Sequence, residues 1–432
     1  MKFLIIKKKS LTILGLLIVY KLLLDFWYIT SIGGIFLGYS EPVFDIIKLI
    51  EAMVITSLAA YLFPRHWNTP SSFYYSILAL AVIIPMVVLY TWIDCSRLYL
   101  YIVALAFVII GIIRKLKRFR IPIAVNVYRI VLSTLTVCTL TALIWVIYAT
   151  KANFIIDLTD TYKYRIEYRT SLEIGLWGYL ITWVGKVFIP LFISIALLRK
   201  NKLTLIVLVA VAVSYFSLTT HKYLLVIGLF PLLLYALHKY SDPVIKSLYL
   251  LTSTLTFLYI VFLLFESYWI PALAVQRPIL KPALLNFIYY DFFSTHGFVY
   301  YSNSVFSWLV EPPYDKSPPF LIGEYFKNDL ETRSNTGFLG TGYAHFGLIG
   351  VIAFAVIIGL ILRILDSVSH GMPVWFVIAI TFGPFSSMLI AADLLSAIFT
   401  HGVLISLILI WAIRPNIMNY CNRYPVLRNY AF

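Results

Sequence analysis

The sequence predicts an all-α polytopic integral membrane protein, with about 12 transmembrane helices in a single domain, residues 1–432. Three observations carry that prediction. Hydrophobic residues make up 61% of the chain and charged ones 12%, with a mean hydropathy of +0.91; a soluble chain carries about 25% charged residues. Apolar runs recur along the whole length, each near the roughly 20 residues that a bilayer core asks of a helix. Lys and Arg gather between those runs, with the greater share in the gaps assigned to the inside, in line with the positive-inside rule. The net charge of +15 belongs to these clusters and does not point to nucleic acid. Cys95, Cys138 and Cys421 lie far apart, so no disulfide framework is implied.

Taken in order, Lys2, Lys7, Lys8 and Lys9 precede the first run, Leu11–Ile29. No small-residue cleavage site follows it, so it reads as a span with a cytoplasmic N-terminus. The next runs are Ile46–Phe63, Phe73–Ile93, Leu98–Ile113 and Tyr128–Thr150. Gly175–Leu198, Leu203–Leu218, Tyr223–Leu237 and Ser247–Trp269 follow, and Phe346–Leu362, Val374–Ala392 and Ala397–Ile413 complete the set. Both termini are then cytoplasmic. The gaps assigned to the inside hold 19 Lys and Arg against 11 outside, although the outside has the longest loop. RKLKRFR at Arg114–Arg120 is the strongest inside marker. Ionisable residues inside spans, at about 2.5–3.5 kcal/mol each near a helix centre, call for partners. Lys21 with Asp25, and Lys48 with Glu51, have pairing spacing.

Two outer segments are basic against the rule: the first loop, 151–173, and the large, partly helical loop 270–345 between helices 9 and 10. The first carries Lys151, Lys163, Arg165 and Arg169, the second Arg277, Lys281, Lys316, Lys327 and Arg333. Cations kept where topology disfavours them suit an anionic ligand; the plainer reading is solvated charge with acidic neighbours. The large loop is dense in Phe, Tyr and Trp, which argues against disorder. Ala283–Phe293 reads as a short helix lying on or dipping into the membrane face. The stretch Asn335–Asp366 begins as a glycine-rich polar loop and passes directly into the tenth span, with Gly337, Gly340 and Gly342 allowing a tight bend.

Candidate chemistry follows from residue type. Arg165 and Arg169, four apart, would share a helix face, and guanidinium binds phosphate oxygens in bidentate fashion. His221 and Lys222 stand at the outer end of a span, His401 near the outer end of the last one. Asp291 follows Tyr289 and Tyr290. Soluble-enzyme signatures such as a P-loop, a dinucleotide fingerprint or a zinc HExxH are absent from the sequence, as are DxD metal motifs. The expectation is chemistry without metal or cofactor.

The stretch NTGFLGTGYAHFGLIGVIAFAVIIGLILRILD resembles the signature segment of Wzy-type oligosaccharide repeat-unit polymerases of O-antigen and capsule synthesis. DLTDTYKYRIEYR at Asp157–Arg169, SLTTHKYLL at Ser217–Leu225 and QRPILKPALLNFIYYDFFS at Gln276–Ser294 support the resemblance. It implies transfer of a growing glycan onto the next undecaprenyl-diphosphate-linked oligosaccharide, on the outer face of a bacterial cytoplasmic membrane. A flippase and a chain-length regulator of the same pathway are the implied protein partners. On that reading His221, Asp291, Arg277 and Arg333 are the catalytic candidates, the arginines stabilising the departing diphosphate and His221 or Asp291 accepting the acceptor proton. Arg165, Arg169, Lys222, Tyr162, Asp160, Tyr290, Glu324 and His401 are the candidates for holding diphosphate or glycan. An O-antigen ligase would share topology and substrate and differ in acceptor; a flippase or exporter would line a central cavity with charge.

Overall fold

The computed structural model describes residues 2–122, 124, 127–155, 164, 167–168, 171–172, 174–240, 242–302, 308–329 and 331–423. Among these there are helices and connecting turns and no strand. The first eleven predicted spans each fall on a helix, while the last, Ala397–Ile413, is broken at Thr400–Gly402 between two helices. The order begins α1 Lys2–Ser31, α2 Ile46–Leu62, α3 Pro70–Trp92, α4 Arg97–Ile113, α5 Tyr128–Ala149, α6 Gly175–Leu198, α7 Lys202–Thr219, α8 Lys222–Leu237 and α9 Pro243–Phe265. The large loop contributes α10 Lys281–His296 and α11 Pro318–Lys327. Then come α12 Phe338–Val368, α13 Val374–Ile390, α14 Leu394–Phe399 and α15 Val403–Arg423. Among the described residues, eight helical segments are long and apolar enough to cross a membrane, and α4, α8 and α13 are shorter apolar helices. The chain is a multi-pass helical membrane protein.

Burial sorts the helices into layers. α3 is 83% buried and α6 78%, so they form the centre, whereas α5 and α9 are only 22% buried and present apolar faces outward. Both central helices carry a π-helical turn, Ala79–Ile83 and Val184–Phe188, just ahead of Pro85 and Pro190. A proline has no N–H to give to the ladder, and the widened turn absorbs the missing bond. Helix starts are capped where the sequence supplies an acceptor: Asp45 receives the amides of Ile47 and Lys48, and Thr69, Ser96 and Asn201 cap α3, α4 and α7.

The bundle has two unlike ends. At the basic end, Arg118 meets His370, Trp411 donates to Pro122 O, and Asp366 accepts from the backbone and hydroxyl of Ser71 at 2.9 and 2.6 Å. The opposite end, here the loop end, carries α10, α11 and the turns around residues 32–45 and 391–402. α10 bears out the expected short helix over Ala283–Phe293. It contributes nine buried residues, so it is packed into the bundle rather than laid on it.

Two expectations change. Lys48 does not pair with Glu51: it donates to Ile93 O at 3.1 Å and lies 3.4 Å from Asp94, while Glu51 takes Arg97 at 3.2 Å and Tyr101 at 2.8 Å. The start of α2 faces the α3–α4 corner, which draws the lysine away from its own helix. Lys21 and Asp25 do pair, at 2.6 Å, with the Trp92 indole donating to the same carboxylate. The second change concerns the glycine-rich stretch. Phe338–His345 is helical and buried rather than a loop, and the bend comes later, at Phe346 and Gly347. Gly347 has φ +63°, ψ −149°, a conformation essentially confined to glycine. The short limb folds back on the long one where Gly342 meets Gly350; a Cβ on Gly350 would lie 2.0 Å from the Gly342 carbonyl oxygen.

Candidate functional site

The short limb Phe338–His345 is held by α10. Asn286 Oδ1 accepts from the Gly340 amide at 2.9 Å and from the Thr336 hydroxyl at 3.1 Å, so an amide in α10 fixes the first turn of the limb. Thr341 and His345, four apart, then share one face of the limb and open onto a hollow of about 340 Å³ at the loop end. Tyr289 of α10, Tyr179 of α6, Tyr301, Asp393, Ser396 and Thr400 also line it.

His345 is buried at the centre of this wall. Its Nδ1 accepts the Tyr301 amide at 3.1 Å, which assigns the ring proton to Nε2, 3.4 Å from Asp393 Oδ1. The Tyr301 ring stacks on the imidazole with centroids 3.6 Å apart, and its hydroxyl donates to the same Asp393 oxygen at 2.9 Å. The other oxygen caps α14 through the amides of Leu395 and Ser396. Burial alone would raise the Asp393 pKa; donation from His345 and Tyr301 outweighs it and holds the carboxyl below its usual range. Burial, with Asp393 beside it, pushes the Tyr301 phenol up. The result is a closed, charged network with its donors and acceptors matched.

Behind Thr400 lies a second polar group. Lys186, 3% exposed in the π-turn of α6, donates to His401 Nδ1 at 2.7 Å and to Ser387 Oγ at 2.8 Å. Its ammonium sits 5.2 Å from the Tyr223 ring, which lies 5.4 Å from the His221 ring. Among the described residues no carboxylate pairs with Lys186. A buried intramembrane cation with neutral partners is a functional candidate by default. Lys186 thus joins the two histidines singled out in the sequence, His401 directly and His221 through Tyr223.

Beside the hollow is an apolar groove of about 880 Å³, and Tyr179 and Phe399 line both. Trp177, Trp183, Leu404 and Ile408 line the rest of that groove. Trp177 is itself stacked on Trp145 of α5 with centroids 4.5 Å apart, which fixes the groove wall.

On the opposite side of α10 is another hollow, about 440 Å³, bounded by Tyr39, Asp94, Cys95, Leu284, Asp291 and Phe326 among others. Partial enclosure, with the neighbouring Asp94 carboxylate, raises the Asp291 pKa. At the start of α10, Arg277 and Lys281 stand one turn apart on a continuous helix, and Lys327 at the end of α11 reaches Lys281. Burial, Lys327 and Arg277 lower the Lys281 pKa to about 8. Three cations therefore converge there.

The sequence candidates are thus divided among several places. Arg277 belongs to the cationic group and Asp291 to the second hollow. Arg333 rests on the Phe320 ring at 5.1 Å, two residues before Asn335 of the first hollow. Glu324 is paired with Lys316 at 2.7 Å. Tyr290 is packed against Tyr99 and Tyr343 at 4.8 and 4.7 Å, inside an aromatic cluster. His221 and Lys222 form the α7–α8 corner. Arg165, Arg169, Tyr162 and Asp160 lie outside the described residues. Sequence reasoning did not single out His345, Asp393 or Tyr301 as site residues and noted Lys186 only as an ionisable residue inside a span; the four-residue spacing of Thr341 and His345 in an otherwise apolar segment was the available signal. Comparison of the chain with protein-family models, with curated proteins and with solved structures gives no match.

Proposed function

We propose that this protein polymerises lipid-linked oligosaccharide repeat units, transferring a growing glycan from one polyprenyl diphosphate to the next lipid-linked unit at the outer membrane face. One observation carries the reading: a polar, hydroxyl-rich hollow at the loop end adjoins an apolar groove, with Tyr179 and Phe399 lining both. A ligand that fills both has a polar head and a long hydrocarbon tail. Tyrosine rings, threonine and serine hydroxyls, and a fixed His345–Asp393 pair suit sugar rings, whose C–H faces pack on aromatics while their hydroxyls find partners.

In the transfer the anomeric C–O bond to the diphosphate breaks, its electron pair leaving with the diphosphate oxygen. The acceptor hydroxyl oxygen bonds to the anomeric carbon and gives up its proton. Lys186 behind His401, and Arg333 near the rim, are the cations on the side of the first hollow for the growing negative charge. His345, with both ring nitrogens engaged, acts in this arrangement as a positioning residue. Asp291 is the base candidate for a transfer seated in the second hollow, where Arg277, Lys281 and Lys327 are the cations for the diphosphate; a carboxylate of raised pKa holds a proton better near neutrality.

The test is the length of surface polysaccharide after deletion of the gene in a producing bacterium. A ladder that collapses to a single repeat supports the reading. Loss of all surface glycan with accumulation of lipid-linked polymer identifies a ligase instead, and accumulation of unexported units an exporter.

A further inference from the structure

At the basic end, far from either hollow described above, α5, α6 and α15 enclose another space of about 340 Å³. Its polar lining is Tyr128, Arg199, Asn416, Asn419, Tyr420 and Arg423, and Ile195, Leu198 and Ile417 form its apolar side. Arg199 donates to the Tyr128 hydroxyl at 3.0 Å, a contact that aims the guanidinium but uses one of its five donors. Among the described residues neither Arg199 nor Arg423 is paired with a carboxylate. Arg129, Lys200 and Lys202 stand next in sequence to this lining and add to the positive field.

Two further facts narrow the ligand. The Oδ1 atom of Asn416 is buried without a hydrogen-bond partner, an acceptor left waiting for a donor. The first turn of α5, which begins at Tyr128, has no side-chain cap, so its free amides favour negative charge nearby. The space thus offers two guanidinium groups and a helix start to an anion, one buried acceptor to a hydroxyl, and isoleucine and leucine side chains to hydrocarbon. Basic pockets between transmembrane helices on the cytoplasmic side are where anionic lipid headgroups bind.

We infer that this space is a binding site for an anionic phospholipid with a hydroxylated headgroup, of the phosphoglycerol class. The phosphodiester lies between Arg199 and Arg423, and the headgroup hydroxyl donates to Asn416. The acyl chains start along Ile195, Leu198 and Ile417. The assignment does not depend on the proposed polymerase activity.

The experiment is thermal unfolding of the full-length protein in a neutral detergent, followed by tryptophan fluorescence, with short-chain lipids added. Phosphatidylglycerol is expected to raise Tm saturably and phosphatidylcholine to leave it unchanged. The Arg199→Gln, Arg423→Gln double variant is expected to bind phosphatidylglycerol about tenfold or more weakly. Asn416→Ala is expected to lose the preference for phosphatidylglycerol over phosphatidic acid, which lacks the headgroup hydroxyl, while still preferring either to phosphatidylcholine. Equal shifts with phosphatidylglycerol and phosphatidylcholine overturn the proposal, as does an unchanged affinity in the double variant. A shift with soluble glycerol 1-phosphate as large as with the lipid, at equal concentration, overturns the lipid assignment. Should the double variant fail to fold, Arg423→Gln alone, at the exposed helix end, reads the same loss.

Discussion

The two hollows flanking α10 are built on opposite electrostatic plans. In the first, Asp393 is met by the imidazole of His345, the phenol of Tyr301 and two backbone amides, so the wall is complete before any ligand arrives. Beside the second, Lys281 and Lys327 crowd each other with Arg277 close by, and Asp291 feels Asp94. Like charges are gathered there at a cost that a ligand of opposite sign would relieve. A satisfied network positions; a frustrated one binds. Four measurements press on that contrast.

The largest expected effect is at Asp393. Replacement by Ala leaves the His345 Nε2–H and the Tyr301 hydroxyl without their acceptor and removes the cap of α14, costing about 3 kcal/mol, read as a fall in Tm. Stability unchanged would mean that the first wall is not the closed network described. The same carboxylate gives the pH dependence its sign. Its folded pKa is depressed, so its contribution is complete above the usual aspartate range and is lost as pH falls through the folded value. Acid unfolding of Asp393→Asn should lack that component.

Next in size is Lys186→Met. An apolar side chain of similar length in place of a buried ammonium is neutral or stabilising. We expect unchanged or higher Tm together with about a hundredfold loss of the proposed chain extension, equivalent to about 2.7 kcal/mol. Retained polymer length would make Lys186 a structural residue only.

Gly347→Ala tests whether the short limb must hold its angle. A side chain at φ +63° and against Phe298 costs about 1–3 kcal/mol of strain. If Tm falls while polymer length is kept, the position of His345 is less critical than the first hollow suggests.

The smallest effect, and the one aimed at the second hollow, concerns Lys281. Its folded pKa, about 8, lies below the ordinary lysine value, so folding is disfavoured by protonation as pH drops from that value toward 8, and no further change comes below it. Lys327→Gln removes one of the repelling charges. The midpoint for amine modification of Lys281 should rise in that variant, and also in the wild-type protein when inorganic pyrophosphate is added. A midpoint indifferent to both would remove the frustration on which the comparison rests.

The helices were legible in the sequence because a membrane span is a matter of length and apolarity, which need no knowledge of neighbours. α10 was legible because its aromatic density excluded disorder. Phe338–His345 was misread for a physical reason: three glycines in ten residues suggest a bend, yet Gly342 serves a close crossing of two helical limbs and only Gly347 turns the chain. Lys48 and Glu51 were misread because spacing on one helix says nothing about the corner of α3 and α4 opposite. The candidate site was less accessible still. His345 and Asp393 are far apart in the chain, and their meeting depends on the fold-back of α12 and on the α13–α14 turn. Arg277 was found as a lone cation, and its companions Lys281 and Lys327 acquire meaning only when α11 is laid against α10.

The crossing of Gly342 and Gly350 has a consequence for the imidazole three residues further on. Two hydrogen atoms, where any other amino acid would carry carbon, set how near the limbs can come. The approach of His345 to its carboxylate is therefore regulated from a place that touches neither, and a single methyl group there would act as a wedge under the whole proton-holding wall.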